Sequence, residues 1–203
     1  MTSEEQPYIR IVRDRLVYAN RYGELYDDDV EFRPGGVRGR YVRWQWRSTY
    51  SVAVLPLVDP ATALLVRNFR HSARREVVEA VKGFGDDGRS PVEVAHHELR
   101  EELGFTAAGL TFLGKAGADP GFADHPVHCF LATGKVDRPP HPEDSEAIRG
   151  VARFPITQTP EALASGSVQD SITLLLLWQA YDLERKVAGG ARDTTVPNAS
   201  RSD

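Results

Sequence analysis

The sequence predicts an α/β protein in which helices pack on a mixed β-sheet, with a small antiparallel β subdomain at the N-terminal end. Three observations carry this prediction. Residues 51–58, SVAVLPLV, form a nearly continuous apolar run, the pattern of a strand buried on both faces. Residues 90–104 carry the signals for both ends of a helix: Ser90 as N-cap, Pro91 at the first helical position, Glu93 closing an S-x-x-E capping box, and Gly104 as terminator. Helix and strand signals also alternate along the chain, as a layered α/β architecture requires.

Taken in order, residues 1–7 are polar and are expected to be loose. Residues 8–50 read as short strands at 9–12, 15–19, 24–26, 30–32 and 41–46, separated by the turn signals Asp27-Asp28-Asp29 and Pro34-Gly35-Gly36. A small sheet of this kind, carrying Trp44, Trp46 and Tyr50, buries little area alone and needs a partner surface. After the run at 51–58, Asp59-Pro60 makes a turn and residues 63–69 return as a strand, followed by a cluster of Arg70, Arg74 and Arg75. Residues 79–82 lead into a loop at Gly83 and then the capped helix, where Ala95, Leu99 and Leu103, with Val92, form an apolar stripe. Beyond Phe105 the pattern predicts a turn at 107–109 and a strand at 110–115. A loop at 116–126, a strand at 127–133 and a proline-rich loop at 136–143 follow, then a strand at 147–154 ended by the pre-proline residue Phe154. A short helix at 161–165 precedes a longer one, capped by Asp170 and running to 183, with Leu174, Leu175, Leu177, Trp178 and Tyr181 facing inward. Residues 187–203, rich in Gly, Thr, Ser and Asp, read as a disordered tail. The expected units are therefore 8–50, 51–186 and the tail.

Composition narrows the function classes. The 203 residues are 41% hydrophobic and 27% charged with a formal net charge of -4 at pH 7, which suits a globular domain and argues against non-specific nucleic-acid binding. One cysteine, Cys129, leaves no intrachain disulfide and no cysteine-rich zinc site. It lies in the apolar run VHCFLAT and reads as a core residue. The N-terminal MTSEEQPY lacks a signal-peptide pattern, and the apolar run LLLLWQAY is too short to span a bilayer. The expectation is a cytoplasmic protein with no membrane partner.

The chemistry concentrates on the capped helix. Glu98, Glu101 and Glu102 follow i, i+3, i+4 spacing and project from adjoining positions on one side. Like charges this close repel one another unless a cation compensates, and Mg²⁺ or Mn²⁺ takes carboxylate oxygens alongside substrate phosphates. The competing reading is an ordinary solvated helix face.

The flanking residues extend the pattern. Gly83, Glu98, Leu99, Glu101, Glu102, Gly104 and Phe105 are in register with the Nudix box, G-x5-E-x7-R-E-U-x-E-E-x-G-U, which the stretch resembles. Arg89 stands where the family has its first Glu, and His97 where it has Arg. Outside the box, Asn68-Phe69-Arg70 and Glu79-Ala80-Val81-Lys82-Gly83 look like the Q-Y-R and E-L-P-A-G segments of the ADP-ribose and nucleotide-sugar pyrophosphatase branch. DPGFADH, with Pro120, is similar to that branch's S-P-G-F-S-D-E, and GSVQDSIT to its G-x-I-x-D-x-x-T helix start.

The resemblance implies a Nudix α/β/α sandwich and a hydrolase that cleaves a nucleoside diphosphate sugar or ADP-ribose to a nucleoside monophosphate and a phosphosugar. It further implies a homodimer in which residues 8–50 pack on, or swap with, the partner copy. Glu98, Glu101, Glu102 and the Gly83 carbonyl would hold Mg²⁺ or Mn²⁺. Arg70 is either a clamp on a substrate phosphate or one half of a salt bridge. His125 stands where the branch often has a catalytic Glu, and is either the general base or a plain loop residue. Phe122 and Trp46 are candidates to stack on base or sugar, with packing as the alternative use. The departures at Arg89, His97 and His125 leave a second reading, a catalytically weak or inactive Nudix fold serving as a nucleotide-binding sensor or scaffold. Arg89 is expected to pair with Asp86, Asp87 or Glu93.

Overall fold

The structure, a computed structural model, describes residues 8–85, 88–141 and 147–190. The expected tail from 191 onward, and the Asp86 and Asp87 partners of Arg89, lie outside the described residues.

The N-terminal part is an antiparallel sheet of β1 (Ile9–Arg13), β2 (Leu16–Ala19), β3 (Gly23–Phe32) and β4 (Val37–Trp46). Strand β3 pairs β1 and β2 along one edge and β4 along the other. The expected turn at Asp27-Asp28-Asp29 is instead the middle of β3. Aspartate is a poor strand former, but each of the three faces a guanidinium: Arg40 reaches Asp27 and Asp29, and Arg43 Nε lies 2.6 Å from Asp28 Oδ2.

The second sheet contains β5 (Ser51–Asp59), β6 (Thr62–Arg70), β7 (Arg75–Glu79), β8 (Val81–Phe84), β9 (Phe105–Asp119), β10 (Ala123–Val136) and β11 (Ile148–Pro155). Its through-path is β11-β6-β5-β10-β9, with only β10 and β5 parallel. β5 and β6 pair at Leu57–Ala63 and Asp59–Thr62 and then diverge. β7 lines the β6 arm of the resulting fork and β8 lines the β5 arm, with the chain reversing at Ala80. Gly83 is thus a strand residue opposite Val52, not part of a loop.

Helix α1 (Pro91–Leu103) covers one face, over Val52, Val54, Leu64, Val66 and Val81. A short 3-10 turn, α2 (Thr159–Ser165) and α3 (Ser171–Gly190) cover the other, over Ala53, Leu55, Leu65 and Cys129. The α/β/α layering is as expected. Both predicted caps of α1 form: Ser90 Oγ and the Glu93 carboxylate exchange the capping-box bonds, and Gly104 takes the left-handed φ of 61°. The apolar stripe is Val94, Ala95, Leu99 and Leu103, since Val92 is exposed.

Three further differences are informative. The expected turn at 107–109 and most of the loop at 116–126 belong to one long β9–β10 hairpin. Irregularities in its register, including one between Thr133 and Gly134, absorb residues that read as breakers. Asp170 caps α3 as expected, accepting from the Thr173 N–H at 2.8 Å, but the helix runs on to Gly190, four residues into the expected tail. Ile172, Leu176, Leu177 and Ala180 form its buried face, while Leu175 and Trp178 are exposed. Among the described residues no helix is long and apolar enough to cross a membrane.

Candidate active site

The fork in the sheet organises the site. On its α1 side, the Glu98 carboxylate lies directly against Gly83: a Cβ built there would meet Glu98 Oε1 at 2.0 Å. Only a glycine leaves this carboxylate its place. Four residues further, Glu102 is 4% exposed, and its Oε1 accepts from the backbone N–H of Lys82 at 3.4 Å.

Ladder parity decides which strand carbonyl faces these carboxylates. The Gly85 N–H donates to the Tyr50 carbonyl at 2.8 Å. Opposed pairs in an antiparallel ladder alternate between bonded and non-bonded, so Val52–Gly83 is a bonded pair and Ala53–Lys82 is not. The Lys82 N–H, turned into the fork, fits this parity. The Gly83 carbonyl, expected as a metal ligand, is therefore committed to β5, and the carbonyl facing the fork is that of Lys82.

Glu101 parts from the other two glutamates. Its carboxylate lies 3.6 Å from Nε2 of His97, one turn earlier. Among the described residues no three His, Cys, Asp or Glu side chains converge as a metal-holding group, so the expected three-carboxylate cluster is not assembled. Two carboxylates and a strand carbonyl remain. These are hard oxygen donors, and Mg²⁺ or Mn²⁺ needs only one or two carboxylates when substrate phosphates and water complete its shell. The donor set fits such an ion.

Arg70, at the end of β6, lies 2.7 Å from Oε1 of the buried Glu79. Lys82 Nζ lies 3.3 Å from the other Glu79 oxygen and 2.6 Å from Asp170 Oδ2. Burial by itself pushes the Asp170 carboxyl up, but the Lys82 charge and the bonds from Thr173 hold it below its ordinary value. Lys82 and Glu79 were not singled out in the sequence as site residues, and Asp170 was expected only as a helix cap. Their i, i+3 charge pair was visible, but the link to Asp170 spans the chain.

An aromatic wall stands next to Gly83. Trp46 packs 4.9 Å from Phe84, and His125 lies 5.9 Å from Trp46 and 5.8 Å from Phe84, measured between ring centroids. His125 Nε2 is 2.6 Å from Ser51 Oγ. Burial holds the imidazole below its ordinary pKa, against the opposing charge of Asp124. His125 is thus a strand residue, neutral at pH 7, with this ring nitrogen engaged by Ser51. Its ring packs with the wall. Phe122, in the β9–β10 turn, exposes its ring and accepts the Trp44 N–H at its carbonyl, 2.8 Å away. That bond and the Tyr41 hydroxyl on the Gly121 carbonyl, 2.9 Å, seat the N-terminal sheet on the second sheet. Arg89 acts electrostatically on Glu93, whose carboxyl is held low chiefly by the Ser90 bonds.

Residues 47–175 match the family model described as NUDIX domain. An ADP-ribose pyrophosphatase of Bacillus subtilis is 35% identical over 61% of this chain and 65% of its own length. Another, from Mycobacterium tuberculosis, is 31% identical over 74% of this chain and 72% of its own. The chain thus spans just under two thirds of the first relative. A solved structure described as an ADP compounds hydrolase superposes with a TM-score of 0.71 at 26% identity, covering 94% of this chain and 99% of that one. The family model covers well over half of the sequence, and the matched segment contains the fork, α1 and, of the aromatic wall, Phe84 and His125: the chain belongs to the Nudix family.

Proposed function

We propose that this protein is a divalent-metal-dependent hydrolase that splits the diphosphate of ADP-ribose or a related nucleoside diphosphate sugar, giving a nucleoside monophosphate and a phosphosugar in the cytoplasm. The observation that carries this reading is the pairing of Glu98 against bare Gly83 with Glu102 on the Lys82 backbone, two carboxylates held at one strand edge. The names of the relatives support the substrate class.

In this reading Glu98, Glu102 and the Lys82 carbonyl hold Mg²⁺ or Mn²⁺. Such an ion, when bound, neutralises diphosphate charge and lowers the pKa of attacking water. Glu101, braced by His97, stands at the rim as a further acceptor for a proton or a hydrated cation. Arg70 is half-exposed and keeps donors beyond its ion pair with Glu79, so it can also grip a substrate phosphate. Trp46, Phe84 and Phe122 offer ring faces to the base or sugar. His125 and Ser51 stiffen that wall.

A second copy completes the molecule. Every residue of β1 and β2 is exposed although they read IRIVR and LVYA, and an apolar strand face of this kind needs covering. A homodimer through this sheet is the expected state, checked by light scattering after gel filtration.

The functional test is hydrolysis of ADP-ribose, UDP-, GDP- and CDP-sugars, dinucleotides, coenzyme A and nucleoside triphosphates, with and without Mg²⁺ or Mn²⁺. Glu102→Gln is expected to lower turnover at least about 100-fold, the scale on which single electrostatic groups act in catalysis, while the fold is retained. No cleavage of any panel member, with ligand-induced thermal stabilisation present, would replace this reading with the nucleotide-binding sensor.

A further inference from the structure

Lys82 is unusual in touching both layers that flank the sheet. Its backbone N–H meets Glu102 of α1 at 3.4 Å. Its ammonium meets Asp170, at the head of α3, at 2.6 Å, and Glu79 of β7 at 3.3 Å. Asp170 also accepts the hydroxyl of Thr173 at 2.6 Å, and that hydroxyl in turn accepts the N–H of Ala80 at 2.8 Å. Together with Arg70 on Glu79 this makes two carboxylates against two cations, linking β6, β7, β8 and α3 around the fork. The Lys82 side chain is 21% exposed, and an ammonium partly withdrawn from water is favoured where its pairing is close and specific. The segment that this part of the chain resembles, E-L-P-A-G, has alanine at this place, a residue that makes no such tether.

We propose that Lys82 is a positioning residue of the site: its side chain, held between Glu79 and Asp170, sets the width of the fork and thereby the place where its own backbone meets Glu102. The inference rests on the functional reading above. Without the ammonium, Glu79 and Asp170 repel each other across the fork, β8 loses its anchor on α3, and the strand edge opposite Glu102 is free to shift. Groups that orient metal ligands from behind are typically worth 10- to 100-fold in metal affinity.

The test is Mn²⁺ binding to the chain without substrate, followed by electron paramagnetic resonance, with melting temperature measured in parallel. Lys82→Met is compared with Lys82→Met/Asp170→Asn. Asparagine keeps an oxygen to cap α3, and the double variant restores charge balance by leaving only the Arg70–Glu79 pair. Weaker Mn²⁺ binding by about tenfold or more is expected in both variants, with a lower melting temperature in the single variant and recovery in the double. Binding within about twofold of wild type in a folded variant overturns the inference, as does affinity that recovers together with melting temperature. If the single variant does not fold, the double decides alone. Wild-type hydrolysis is run alongside: a wild type that cleaves the panel while the variants bind Mn²⁺ normally removes only the role of Lys82. A wild type that neither binds Mn²⁺ nor cleaves any substrate overturns the functional reading, and this inference with it.

Discussion

Two acidic triplets stand in this chain, Asp27-Asp28-Asp29 on β3 and Glu98, Glu101, Glu102 on α1, and they occupy different settings. The first is answered by fixed cations. Arg43 reaches Asp28 at 2.6 Å while stacking on Tyr26, 3.9 Å from the ring centroid. Arg40 spans Asp27 and Asp29, and the Arg15 N–H bonds Asp28 at 2.9 Å. The second triplet meets a bare glycine, a strand N–H and an imidazole. Crowded carboxylates alone therefore do not mark a site. Permanent guanidinium partners make the first triplet part of the scaffold, while two carboxylates of the second lie against the strand edge of the fork.

Gly83→Ala is the sharpest way to break this contrast. The methyl group would meet Glu98 Oε1 at 2.0 Å and Cδ at 2.1 Å, the far end of a flexible side chain that can swing aside at small cost to stability. Turnover is expected to fall about 100-fold, as for a misplaced catalytic group, with a melting temperature close to wild type. A fully active Gly83→Ala would mean that the position of Glu98 is irrelevant to the chemistry.

Asp28→Asn is the mirror experiment. Asp28 is 3% exposed, and its loss leaves Arg43 short of its buried partner. A buried pair broken in this way costs about 3–5 kcal/mol. Because Arg43 keeps Asp14 at 2.9 Å, about 2 kcal/mol is expected here, read from denaturant unfolding. Hydrolysis per folded molecule should not change. A variant that is stable but inactive would move this triplet from scaffold to site.

How legible each triplet was in the sequence follows the same division. α1 depends on local signals, so Ser90, Glu93 and Gly104 announced its ends and the glutamate spacing announced its chemical face. Asp27–29 read as a turn because the arginines that make a strand of it come from β4 and from Arg15, partners visible only in the fold. The β9–β10 hairpin was cut short for a related reason: glycines and Pro126 are local breakers, and only the long pairing with register shifts shows that they are tolerated. The fork was out of reach altogether. It depends on β5 and β6 separating after two paired positions, and its hub joins Lys82 to Asp170 across the chain. The surroundings of His125 were equally out of reach, since Ser51, Trp46 and Phe84 reach it from three other strands.

The smallest expected effect concerns the seam where the N-terminal sheet meets the site. Burial depresses the pKa of His125 and also that of His128, which the Lys115 charge lowers further. For a group whose folded pKa lies below its unfolded value, the unfolded chain binds more protons in the window between the two. Stability is then full above the ordinary histidine value near 6.5, and it is lost as pH falls through that value toward the folded pKa, with no further loss below it. Melting temperature should accordingly decline on acidification from pH 7, and His125→Gln should flatten part of that decline, leaving the share due to His128. Because His125 packs on Trp46 and Phe84, the same acidification should loosen the aromatic wall. Trp46 fluorescence, isolated by replacing Trp44 and Trp178 with Phe, should change over this window before global unfolding. A melting temperature that rises on acidification would show that these imidazoles are charged in the folded protein, and that the wall is held by a partner other than burial.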